Sequence, residues 1–170
     1  MRFGDFLKAT VLLSGGAATA LAALAVIGIA QEPERELVVV SVAWWLIAVL
    51  IGAALGRRAE TSPPIARLLA DARSQTTLPE LQPGTTLVNR LWPLLLATIG
   101  ASVLAFVEPQ VASVAAGFAI IWALAWRRQE RAVLAIEERD GVRFYVDRTS
   151  PFSPIRLIRT PGFGGTYLPT

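Results

Sequence analysis

The chain has 170 residues, enough for a single domain, and combines a hydrophobic fraction of 54% with a charged fraction of 17%, too apolar a balance for a water-soluble fold of this size. It holds no cysteine and no histidine, which excludes disulfides, thiolate or imidazole metal sites, and the Ser/His and Cys/His nucleophile pairs. The net charge of +3 comes from basic residues scattered along the chain, not from one module with interleaved aromatics, so nucleic acid is not an expected partner.

Residues 10–30 contain no ionisable side chain and, at about 1.5 Å per residue, are long enough to cross the hydrocarbon as a helix. Arg2 and Lys8 before this run, with small Gly28 and Ala30 at its end, also fit a cleaved signal peptide. The run exceeds the roughly 7 to 15 residues of a signal core, which favours a retained helix. Residues 37–56 form a second uncharged run of spanning length. A third and a fourth, 91–107 and 111–126, are shorter and are parted only by Glu108, Pro109 and Gln110, which predicts a tight turn between two helices. A re-entrant hairpin is the alternative for this pair and leaves the tail on the same side. Unpaired backbone amides cost several kcal/mol in hydrocarbon, so all four runs are expected as uninterrupted helices. Pro93 and Pro109 fall near first turns, where the missing amide has no intrahelical partner.

The expected fold is therefore an all-α membrane protein with four transmembrane helices in two hairpins, residues 1–56 and 91–126. A cytoplasmic connector, 57–90, and a cytoplasmic tail, 127–170, complete it. Every basic residue but Arg35 lies before the first run, between the second and third, or after the fourth. Arg57, Arg58, Arg127 and Arg128 sit directly at span ends, where the positive-inside rule counts them. Both termini are thus expected in the cytoplasm of a multi-pass protein of the cell (inner) membrane. Each half reads as an apolar helix, a short acidic connector, a Trp-containing apolar helix and an Arg-Arg pair, which suggests a duplicated hairpin.

Small residues recur at four-residue spacing in Gly16 and Ala20, in Gly52 and Gly56, and in Ser113 and Gly117, marking faces where helix backbones can approach, within one chain or in a homo-oligomer. Trp92 and Trp126 are expected as interfacial anchors. Trp44 and Trp45 lie deeper, so at least one must meet lipid tails or a packed neighbour. No Asp, Glu, Lys or Arg falls inside the four runs, which disfavours a proton-coupled pump or a buried ionic substrate site.

In the connector, Ser62 followed by Pro63 and Pro64 is a helix start, and Ile65, Leu68, Leu69 and Ala72 recur at helical spacing, predicting a short amphipathic helix. Residues 76–89, with Pro79, Pro83 and Gly84, read as irregular. In the tail, residues 133–138 and 142–147 flank Asp140-Gly141, which predicts a β-hairpin; a strand is expected over 155–158, followed by turns or disorder. A lone hairpin is marginal in water, so it should pack on the connector helix, the membrane, another copy or a partner, with Phe144, Tyr145 and Phe152 as candidate contacts. Glu137, Glu138, Asp140 and Asp147 read as solvated charges without a base, nucleophile or metal set beside them. The expected role is a non-enzymatic accessory or scaffold subunit without cofactors, which presents its connector and tail to a protein partner. A small oligomeric channel or transporter is the alternative.

Overall fold

The computed structural model describes residues 1–31, 35–57, 60–76, 83–147 and 152–161. Along the chain run α1 (Phe3–Gln31), α2 (Arg35–Leu55), α3 (Pro63–Ala70), β1 (Arg73–Ser74), α4 (Pro83–Leu104), α5 (Pro109–Trp126), α6 (Gln129–Asp140), β2 (Val142–Val146) and β3 (Leu157–Pro161). The fold is mostly helical with a small three-stranded sheet. Helices α1, α2, α4 and the run through α5 into α6 are long and apolar enough to cross a bilayer.

The chain divides into two compact units. Unit 1 gathers residues 1–8, 58–90 and 128–170, and unit 2 holds residues 9–57 and 91–127.

Unit 2 is built inside out compared with a soluble protein. Its core is made of small side chains: Ala25, Ala101, Ala112 and Ala116 surround Leu21, with Trp45 packed against them. Its surface carries the bulky ones, among them Leu12, Val40, Leu46, Leu50, Leu96 and Phe118. Small residues inside let helix backbones approach closely. The most extensive helix pairing joins α2 to α5. α4 is longer than expected, because residues 83–89, read as irregular, are helical, and Pro93, expected near its first turn, falls inside it. Pro83 opens α4 with its fixed φ and needs no donor there, so Pro-Gly starts this helix instead of marking a turn.

Unit 1 has a core of its own, centred on Phe3, Leu7, Ile65, Val133, Phe144 and Leu157. The predicted connector helix is present as α3, and its Ile65 is the residue that enters this core. α1 begins at Phe3, well before the uncharged run, because Phe3, Phe6 and Leu7 are buried in unit 1. The sheet order is β1-β3-β2, with β1 parallel and β2 antiparallel to β3. Arg2 adds an isolated bridge to Tyr145 on the outer edge of β2, and the Val146 N–H donates to the Met1 carbonyl at 3.0 Å.

The expected hairpin across Asp140-Gly141 is corrected. Residues 133–138 belong to α6, and β2 pairs instead with β3, which runs over Leu157–Pro161 and not 155–158. The segment from Gln129 is rich in strong helix formers, and its buried residues Gln129, Ala132, Val133 and Glu137 recur at helical spacing. Gly141 then ends the helix in the left-handed region, φ 61°, with its N–H returned to the Glu137 carbonyl. The same dipeptide serves a type I′ turn or a helix stop, because both need a residue at positive φ.

Nothing lies within 4 Å of a Cβ built at Gly141, so the cost of a side chain there is purely conformational. Gly141→Ala is expected to destabilise unit 1 by about 1 kcal/mol. Thermal unfolding of detergent-solubilised protein, followed by circular dichroism, measures it; an unchanged midpoint would contradict the assigned helix stop.

Candidate functional site

Two places concentrate specific side-chain chemistry: the α2–α5 seam within unit 2 and the polar joints that knit unit 1.

At the seam, consecutive tryptophans on α2 straddle α5. The Trp44 indole N–H donates to the Val114 carbonyl at 3.1 Å, and the Trp45 indole N–H donates to the Ser113 carbonyl at 2.9 Å. Each carbonyl can accept a second bond beside its helical one, which gives each indole N–H a partner. Trp44 also meets Phe118 edge-on at 5.3 Å. Of the small residues singled out in the sequence, Gly117 lies under the Trp44 ring, Gly52 faces Leu124 and Ile121, and Gly56 faces the Leu124 carbonyl. A Cβ at Gly52 would come within 2.8 Å of the Leu124 Cβ, and at Gly56 and Gly117 it would overlap its neighbours outright. Ser113 is buried beside them.

Gly16 and Ala20 are exposed, and among the described residues nothing stands within 4 Å of a Cβ built at Gly16. The buried face of α1 is instead Ser14, Ala18, Leu21 and Ala25. Gly28, noted only for its size, is a contact point: a Cβ there would meet Pro109 at 2.6 Å. Trp126 closes α5 and stacks on Trp122 at 5.6 Å. Trp92 lies inside α4, not at its start. Arg57, Arg127 and Arg128 are exposed, and Arg58 lies outside the described residues. Between α2 and α5, Val40, Ser41, Trp44, Gln110, Ser113 and Phe118 line an open, mainly apolar groove of about 330 Å³.

In unit 1, two buried polar side chains of α6 do the joining. Gln129 accepts the Ser62 N–H at 2.9 Å and donates to the Glu60 carbonyl at 3.4 Å, clamping the approach to α3. Glu137 accepts the Phe144 N–H at 2.8 Å with one oxygen and faces the Arg2 guanidinium at 3.9 Å with the other. Burial pushes the Glu137 carboxyl above its ordinary value of 4.5; the Phe144 N–H and Arg2 pull it down, and Asp5 pushes it up. Glu137 was read from the sequence as a solvated charge and is in fact 7% exposed. The signal was its place on the buried face of a helix, visible only once the segment is recognised as helical.

The other tail carboxylates stay near solvent. Arg139 bonds Asp140 through Nε at 2.8 Å, and this bond holds the Asp140 carboxyl below its ordinary value. Of the three aromatic candidates for partner contact, Phe144 and Tyr145 are core residues of the sheet, and Phe152 is 85% exposed. An open cleft of about 580 Å³ lies beside the exposed β1, lined by Ser74, Gln75, Thr76, Val142, Arg159 and Pro161.

Comparison with protein-family models, with curated proteins and with solved structures finds no match to this chain.

Gly117→Leu is expected to drive the Trp44 indole off Val114 and loosen α2 from α5 by about 1–3 kcal/mol or more. It should show as a changed tryptophan emission and a lower thermal midpoint in detergent. Gly100→Leu, where nothing lies within 4 Å of the new Cβ, should do neither; equal behaviour of the two variants would refute the seam.

Proposed function

We propose that the chain is a four-span protein of the cell membrane, with both termini and unit 1 in the cytoplasm. It acts as a non-enzymatic accessory or scaffold subunit that offers the surface of unit 1 to a protein partner. The observation that carries this reading is the composition of unit 1. Four crossings would leave the N-terminus, the connector and the tail on one side, and these three stretches are the ones that fold together. The charge rule points the same way, since nearly all basic residues belong to these stretches or to the span ends beside them.

This assembly also alters what the tail needs. The sequence left β2 as half of a lone hairpin in want of a support; β1 from the connector, β3 and the Arg2 bridge supply it within the chain. A partner is therefore not required for the tail to fold, and binds to what is left outside. The exposed β1, the cleft with Arg159, and Phe152 make up that surface.

The absence of cysteine makes single-cysteine labelling clean for the topology. In intact cells an impermeant maleimide should label Glu108→Cys, and should label Glu138→Cys only after permeabilisation; the reverse pattern would overturn the orientation. For the partner, crosslinking after gentle solubilisation and mass spectrometry should recover a co-purifying protein. Arg159→Glu with Phe152→Ser should reduce its yield severalfold at unchanged thermal stability. Ion or solute flux by the purified chain in liposomes, with no co-purifying protein, would favour the channel instead.

A further inference from the structure

The outer edge of β2 is closed in two ways. Val146 is paired by backbone, through the Met1 carbonyl. Phe144, two residues earlier and so pointing its N–H to the same side, has its amide taken by the Glu137 carboxylate. A side chain of α6 thus stands in for the strand residue that the N-terminal segment cannot supply, because by Phe3 that segment has already turned into α1. An open edge amide at this place would be costly, since Phe144 is 3% exposed. The second Glu137 oxygen faces Arg2, which itself bridges Tyr145 on the same edge. One buried carboxylate therefore holds the end of α6, the edge of β2 and the segment that leads into α1.

We propose that Glu137 is a proton-operated latch: ionised, it holds both the Phe144 amide and Arg2, and on taking up a proton it keeps the amide and releases Arg2, loosening the Met1–Val146 tie at the β2 edge while Phe3, Phe6 and Leu7 stay in the core. The two ties differ in kind. A neutral carboxyl still has a carbonyl oxygen to accept an N–H, but it has lost the charge that attracts a guanidinium. The charged groups acting on Glu137 are Arg2 and Asp5 of the N-terminal segment, while β2 contributes the Phe144 backbone amide. Burial raises the carboxyl, so uptake begins above the ordinary carboxylate range.

The sign of the stability effect follows. A carboxyl raised on folding contributes stability that is fully present below 4.5 and is lost as pH rises through its folded value. Acidification should therefore stabilise unit 1 through Glu137 while loosening the Arg2 bridge, and this opposite movement marks a latch and not a general weakening. The latch stands on unit 1 alone and does not depend on the orientation or the partner proposed above.

Carboxyl-carbon NMR of the full chain in detergent tests it. Glu137 should titrate above the ordinary range. Arg2→Gln should move that titration further up, and Asp5→Asn should move it down. Amide exchange at Val146, whose bond goes to Met1, should lose protection as pH falls through the same titration. In Glu137→Gln that protection should be low and independent of pH, with the sheet still folded by circular dichroism. Titration in the ordinary range, no opposite shifts in the two neighbours' variants, or Val146 protection that ignores the protonation of Glu137 would each overturn the latch.

Discussion

The close approach of apolar helices shapes unit 2, with small side chains inside and bulky ones outside. The indoles of Trp44 and Trp45 on α2 both donate to carbonyls on α5. The helices are held by close approach, so alanine and glycine collect in the interior while leucine, valine and isoleucine face outward. The seam between α2 and α5 is the clearest case. Gly52, Gly56 and Gly117 create the space, and Leu124 and Trp44 fill it. Neither half works alone, since a side chain at any of these glycines meets its neighbour at less than van der Waals distance.

Unit 1 puts its large apolar side chains inside. Phe3, Leu7, Ile65, Val133 and Leu157 supply the apolar interior, and they come from all three chain stretches that make up the unit. The polar joints are as specific as the apolar ones. Gln129 reads the backbone ahead of α3, and Glu137 reads the edge of β2. Buried groups of this kind are costly if left half satisfied, so they favour one arrangement over alternatives that would strand them.

The four long apolar helices were legible because uncharged runs of about twenty residues are a simple pattern that survives any detail of packing. The connector helix was legible from its proline start and its 3.6-residue spacing. The tail was not. Residues 133–138 are apolar enough for a short strand, and periodicity cannot separate a short buried helix from a strand; Asp-Gly then tipped the reading toward a turn. The helix wins because α6 can bury Val133 and Glu137 together on one face, and Glu137 is worth burying only if β2 presents the Phe144 amide to it. That condition is tertiary. The same holds for Phe144 and Tyr145, which look like contact residues in a lone hairpin and become core once β3 and the Arg2 bridge close around them. For the seam, spacing marked Gly52, Gly56 and Gly117 but could not choose between a neighbour in the same chain and one in another, and it marked Gly16 and Ala20 equally although both are exposed.

The thinnest element of unit 1 ties these observations to the proposed topology. β1 is two residues long, yet it pairs in parallel with β3, joining Arg73 to Ile158 and Ser74 to Arg159 across the whole second hairpin. Closing a free loop on the order of 85 residues costs about 4 kcal/mol, more than two ladder positions return at about 1 kcal/mol per hydrogen bond. If α4 and α5 are anchored in the bilayer, their crossing and return are not part of a free loop, because the spans hold residues 90 and 127 at one membrane face before β1 and β3 ever meet. The remaining connectors still amount to about 45 residues, so anchoring the spans lowers the closure cost by only about 0.6 kcal/mol. What holds β1 is therefore chiefly unit 1 itself, in whose core Ile65 of the connector and Leu157 of β3 are both buried.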